Sequence, residues 1–272
     1  MWKVLLLLGI LASCGRAEAQ TTSFLPQNDL WKEDNLFLTS MTESTFNTMI
    51  AKVEAIYRPI IQKMGVNLVI SKDWATPEVN AWANLTGNTL EIHMMGGLAR
   101  RGELSKNSLY LVVCHEIGHF AGGWVTYPSE WASAESQSDR FATSVCAKKV
   151  FANFTENAQM LSKIAVDKCK SMYKGQALRV CYLTGEAAKG LGDLLGSLSG
   201  ERVSYNTPDM TVVRTTETSY PRTNQCRLDE MLAGALCKAP WDDAIIPSQQ
   251  NQARYTCTLT EIDKRRTCWF KP

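Results

Sequence analysis

His115-Glu116-Ile117-Gly118-His119 sets two imidazoles four residues apart, with a carboxylate directly after the first. In a helix, residues four apart lie one turn above each other, so both rings can reach one ion. Glu116 then stands beside that face, where it can take a proton from a water held by the ion. The approach, Leu109-Tyr110-Leu111-Val112-Val113, is apolar, as a helix entering a core requires. Only three histidines occur in the chain, and this pattern uses two of them. A catalytic zinc takes three protein ligands and leaves one position open. The pattern with a third histidine six residues on fails, because that position is Val125. His93 is one candidate third ligand. The stronger is Glu135, which is paired with Asp139 at helical spacing. Glu135 would ligate, while Asp139 would accept a hydrogen bond from the far nitrogen of a ligating histidine and fix its tautomer. The competing reading is a solvated acidic face carrying Glu130 and Glu135.

The surrounding elements must hold these groups in place. Phe46, Ile50, Val53 and Ile56-Tyr57 predict a helix over residues 44–61. Residues 66–70 read as a strand, 74–77 as a turn, 81–83 as a short strand, 84–88 as turn-like and 89–94 as a second strand. Ser105 or Asn107 caps the metal-motif helix, which Gly122-Gly123 stops. Further helices are expected over 132–154, 156–172, 175–182 and 229–236. Residues 20–40 read as a loosely ordered arm. The dispersed glycines of 186–224 read as a loop that could rim a cleft, since they lack the spacing of a phosphate loop. The sum is an α+β chain, mainly helical, with a small mixed sheet.

The chain has 272 residues, with 29 Lys plus Arg against 27 Asp plus Glu. That balance excludes a nucleic-acid binder working by broad phosphate neutralisation. No oxygen-rich loop has EF-hand spacing, so calcium is not implied. Met1-Trp2-Lys3 followed by an apolar run to Ala12 reads as a signal peptide, too short to span a bilayer. Two leader readings stand side by side. Ala17-Glu18-Ala19 would leave Gln20 as the mature start. Leu11-Ala12-Ser13-Cys14 resembles a lipobox, with Cys14 lipidated as the only membrane attachment. Either way the chain is exported, to a bacterial periplasm or envelope or into the medium. Asn84-Leu85-Thr86 and Asn153-Phe154-Thr155 are glycosylation sequons, relevant only in a eukaryotic secretory host. Eight further cysteines in an oxidising compartment predict up to four disulfides, and 105 pairings are possible. Cys169/Cys181, Cys226/Cys237 and Cys257/Cys268 are close enough for local staples. Cys114 and Cys146 lie on the two helices that a metal site would bring together.

The motifs resemble the M48 gluzincin peptidases. The family pattern appears as Asn80-Ala81-Trp82-Ala83, Leu90-Glu91-Ile92, Gly97-Leu98, His115 to His119, and Glu135 to Asp139 followed by Arg140-Phe141-Ala142. Ser219-Tyr220-Pro221 and Arg227 resemble a later element in which the family has His where Tyr220 stands. The resemblance covers roughly residues 45–237. It implies a zincin-type domain over 44–240, after a leader (1–19 or 1–13) and an arm (20–43), with a cysteine-stapled tail over 241–272. It implies one catalytic zinc held by His115, His119 and Glu135, with Glu116 as base. Tyr220 would steady an oxyanion through its hydroxyl, or would be a buried tyrosine before a proline. Asn80, Ala81, Ala83 and His93 would line a cleft whose strand pairs with an extended peptide or unfolded protein; an ordinary strand histidine is the alternative for His93. Only fifteen residues separate His119 from Glu135, short for the family, which makes a compact site. Three other functions compete with an endopeptidase. One is hydrolysis of another amide, such as a cell-wall peptide. Another is a chaperone or scaffold with an idle metal site. The third is a toxin-like module stapled by cysteines.

Overall fold

A computed structural model describes residues 22–32, 41–128, 131–158, 161–258 and 260–272. Cys14, both leader readings and Glu130 lie outside the described residues. Thr22–Ser23 forms a short strand, β1. Thr42 opens α1 (Glu43–Lys63) by accepting a hydrogen bond from the Thr45 amide. Phe46, Met49, Ile50, Val53, Tyr57 and Ile61 are its buried face, in the rhythm the sequence predicts. β2 (Asn67–Asp73) follows. β3 (Ala81–Thr86) and β4 (Thr89–Met95) form a hairpin in which pairing runs out to Thr86↔Thr89. The turn is therefore only Gly87-Asn88, with Gly87 at φ 59°, and not all of 84–88.

Among the described residues the sheet order is β1-β3-β4-β2, with β2 parallel to β4 and the other pairs antiparallel. Period-two alternation gives it one apolar face, where Leu68, Ile70, Ala81, Ala83, Leu90, Ile92 and Met94 are buried. Contrary to the expected loose arm, β1 covers the edge of β3, and Phe24 and Leu25 are fully buried. Gly96-Gly97 ends β4 in a short helix, α2 (Gly96–Ala99). α3 (Lys106–Ala121) is capped by Ser105, and every residue from Ser108 to Ala121 is buried. The metal-motif helix is thus central, with the sheet on one side and later helices on the other.

The long helix expected over 132–154 is interrupted. α4 (Glu135–Phe141) passes through a π-helical turn, Ala142–Cys146, into α5 (Ala147–Val150). α6 (Lys163–Met172) starts later than expected. α7 (Gly175–Ser199) is far longer than expected, so the loop reading of 186–224 is corrected up to Ser199. α7's glycines are contact points. A Cβ on Gly190 would lie 2.3 Å from Ser108 Oγ on α3, and one on Gly196 would lie 2.4 Å from the Glu201 carbonyl. α8 (Asn224–Leu236) begins at its Thr223 cap, five residues earlier than expected.

Among the described residues four disulfides are present, joining Cys114–Cys146, Cys169–Cys181, Cys226–Cys268 and Cys237–Cys257. The staples Cys226/Cys237 and Cys257/Cys268 are corrected. Cys226 and Cys237 sit at opposite ends of α8, so neither can reach the other, and each takes a partner from the tail. That tail is packed against the helices. Trp269 is fully buried and its indole N–H donates to Glu230 (2.8 Å). Arg265 donates to Gln137 on α4 (2.7 Å) and to the Trp124 carbonyl (2.9 Å).

Candidate metal centre

α3 presents His115 and His119 on one face because they are one turn apart, with ring centroids 4.7 Å apart. Bringing a carboxylate to that face requires α4 to approach closely. Gly118 permits this: a Cβ there would lie 2.6 Å from Ser138 Oγ and 3.0 Å from the Ser138 carbonyl. Ser138 in turn donates to the His115 carbonyl and ties the two helices together. The short connection is closed by a small turn of extended chain. Ser133 N–H donates to the His119 carbonyl (2.7 Å), and Ala134 N–H donates to the Val125 carbonyl (2.9 Å). Glu135 is then the first residue of α4.

His115 Nε2 lies 3.2 Å from one Glu135 oxygen, and His119 Nε2 lies 3.6 Å from the other. All three ligand atoms lie within 4.8 Å of one another, and all three residues are buried. Ligand atoms around a tetrahedral ion with bonds of about 2.0–2.1 Å stand roughly 3.3–3.4 Å apart. The spacing therefore fits one ion between them. The contacts lack hydrogen-bond geometry, and both Nε2 atoms and Glu135 Oε2 have no hydrogen-bond partner. Each such buried orphan costs about 1–3 kcal/mol, and three orphans facing one point are what a divalent cation would satisfy. Both Glu116 oxygens are likewise buried and unpartnered.

The far ring nitrogens are held. His115 Nδ1 is 2.8 Å from Asp139 Oδ1, and His119 Nδ1 is 2.8 Å from the Ser133 carbonyl. Acting as donors there, both rings turn Nε2 toward the cluster. Asp139 is itself gripped by Arg227, through Nε (2.7 Å) and a terminal nitrogen (2.9 Å), and the same guanidinium reaches to 3.3 Å from Glu135. Burial pushes the Asp139 carboxyl up, but Arg227 and then His115 outweigh it and hold it at about 2. Burial lowers the His115 imidazole, yet Asp139 and Glu135 raise it to about 9. Burial takes His119 down to about 4, leaving a neutral ring. Burial lifts Glu116 to about 8, with His115 opposing and Glu135 adding to the rise. Glu135 is held low, because His115 and His119 outweigh the burial that would raise it.

Around this core the expected residues fall in different places. Tyr220 is near enough to Glu135 and Glu116 for their charges to act on its hydroxyl, which donates to the Ser23 carbonyl (2.5 Å). Asn80, Ala81 and Ala83 lie on the β3 side. The edge there is not open as expected, because β1 already pairs with it. His93 does not join the cluster. It stacks on Trp82 (3.7 Å between ring centroids), on the opposite sheet face from Leu90, Ile92 and Met94. Two residues escaped the sequence reading. Tyr127 donates to Glu135 (2.8 Å), a contact made by the turn before α4 and carrying no local sequence signal. Phe24 packs edge-on against His115 (5.1 Å) and carried no signal at all. Asp209, Cys226 and Cys268 also lie close together, but both cysteines are consumed in disulfides and offer no thiolate. No protein-family model matches the chain, and no curated protein or solved structure matches it either. What stands on geometry alone is a buried His-His-Glu cluster compatible with a divalent metal, in a mainly helical α+β chain.

Proposed function

We propose that this chain is an exported zinc-dependent endopeptidase of the gluzincin type, similar to the M48 group, acting on peptides or unfolded proteins. The observation that carries the reading is the convergence of three ligand atoms without a hydrogen-bond partner, near the carboxylate of Glu116, which has none either. His115, His119 and Glu135 would hold one zinc, which when bound supplies a Lewis acid for the attacking water and the scissile carbonyl. Glu116 takes the proton of the attacking water and delivers it to the leaving nitrogen. Its free oxygens and raised pKa suit a group that must both accept and return a proton. Asp139, clamped by Arg227, fixes the tautomer of His115. Tyr127 orients Glu135. Tyr220 would donate its hydroxyl to the developing oxyanion. The four disulfides support export, and no described helix is long and apolar enough to cross a membrane. The leader would end before Gln20 or at a lipidated Cys14, and no nucleic-acid partner is expected.

One observation favours the second reading, a metal-binding chaperone or scaffold. His115, Glu116, His119 and Glu135 are all completely shielded from solvent, so the cluster is closed to substrate in this conformation. Zinc stoichiometry and cleavage of denatured casein, measured on the parent and on Glu116→Gln, decide between the two. We expect one zinc per chain in both and turnover reduced by at least a thousandfold in the variant. Equal turnover in the two would remove the mechanism, and zinc without any turnover would favour the scaffold.

A further inference from the structure

What shields the cluster is a piece of the chain itself. Thr22–Ser23 adds antiparallel to β3, with Thr22 opposite Ala83 and Ser23 opposite Trp82. Phe24 N–H continues the ladder to the Ala81 carbonyl (2.9 Å). The carboxamide of Asn80 then reads Leu25 on both sides: its oxygen accepts from the Leu25 N–H (3.1 Å), and its nitrogen donates to the Leu25 carbonyl (3.4 Å). From the other wall, Tyr220 donates to the Ser23 carbonyl (2.5 Å) and Arg227 donates to the Phe24 carbonyl (3.2 Å). The Phe24 ring is fully buried between the His115 ring and the Arg227 guanidinium, 5.2 Å from it. Residues 22, 23 and 25–27 of this segment, with Tyr127 and Tyr220, line an open pocket beside it.

We infer that residues 22–25 are a tethered occupant of the substrate cleft, an internal competitor that must leave the β3 edge before a peptide can enter. The inference rests on the peptidase reading for what the cleft is for, but the binding it describes needs no catalysis. Apart from the Thr22 hydroxyl, which donates to the Ala83 carbonyl (3.2 Å), the polar contacts to this segment are made to its backbone, as an extended polypeptide of any sequence would receive them. They comprise a sheet edge, a side-chain amide that pairs with backbone, and two donors to successive carbonyls. Only Phe24 contributes a side chain to the centre of the site. The cleft therefore favours a polypeptide with a large aromatic or apolar residue next to His115, and the Phe24 pocket sets that preference.

The test uses the full chain carrying Glu116→Gln and loaded with zinc, so that nothing is cut. The probe is an end-blocked fluorescent peptide with the sequence of residues 22–27. Adding Phe24→Ser should raise the peptide's affinity at least tenfold, and denatured casein should compete for it. A probe with alanine at the phenylalanine position should bind at least tenfold more weakly. In the chain without Phe24→Ser, the Phe24 amide should exchange hydrogen at least a hundredfold faster than that of Ile92 in the sheet interior. Unchanged peptide affinity, or a Phe24 amide as protected as Ile92, would overturn the inference. If Phe24→Ser fails to fold, the exchange measurement alone decides. Peptide binding without casein cleavage by Glu116-containing chains would leave this inference standing and remove the peptidase reading. Cleavage with unchanged peptide affinity and equal protection would do the reverse.

Discussion

Asp139 shows how far one residue's role reaches. It binds His115 on one side and a fully buried arginine on the other, so its charge is both used and balanced. Asp139→Asn keeps the shape and removes the charge. Zinc affinity should fall by about 10–100-fold, read by competition with a chromophoric chelator. Unchanged affinity would mean that Asp139 serves the fold and not the metal ligands. Much at this scale was legible in the sequence. The two histidines, Glu116, Glu135 and Asp139 are spaced by helical periodicity, which is a local property. Arg227 was marked only through the family resemblance. Tyr127 and Phe24 were not legible, because what they touch is decided by a turn and by strand pairing over long separations.

At the scale of elements, helix and strand order was mostly readable from apolar rhythm, and α7 is the instructive miss. Its glycines lower helix propensity, by about 1 kcal/mol each relative to alanine, and so they read as loop. Packing overrides that cost, because glycine lets α7 lie against α3. Gly190→Ala should therefore destabilise the fold by about 1–3 kcal/mol despite its better propensity, as measured by urea unfolding. A Cβ there would press on Ser108 Oγ and on the Glu103 carbonyl (2.9 Å), and Ser108 is committed to the Ala187 carbonyl. A stabilised variant would show that α3 and α7 can separate freely. The disulfide pairing was half legible for a related reason. Cys114–Cys146 follows from two helices meeting at a site, whereas the partners of Cys226 and Cys237 depend on where the tail returns.

At the scale of the molecule, the tail and α8 together bury charges that water would otherwise hold. Asp229 on α8 lines a cavity with Lys264, Arg265 and Arg266 from the tail. Burial raises its carboxyl to about 6, against the hydrogen bonds from the Asp209 amide and Gln225 that lower it. An unfolded aspartate titrates near about 3.9. Between those values only the folded chain holds the proton, so stability drains as pH rises from about 4 to about 6 and stays lower above that. Asp229→Asn should remove this component. Relative to the parent, the variant should gain about 1–2 kcal/mol between pH 4.5 and 7, a figure reduced for residual solvent contact. Parallel urea midpoints across that range would rule it out.

The hydrogen bond from Arg227 to the Phe24 carbonyl joins residues 203 positions apart. A ribosome adding about 5–20 residues per second leaves roughly 10–40 s between the synthesis of the two. Over the last 106 residues of that interval, from Ala121 to Arg227 and roughly 5–20 s at the same rate, the nascent chain can carry the HExxH helix without the guanidinium that grips Asp139. Its own unfolded segments hang nearby at high local concentration, and they are the class of substrate proposed for it. Because the last part of the site is supplied by α8, synthesis itself works as a delay, and by the time α8 arrives the residues that close the cleft have long been waiting.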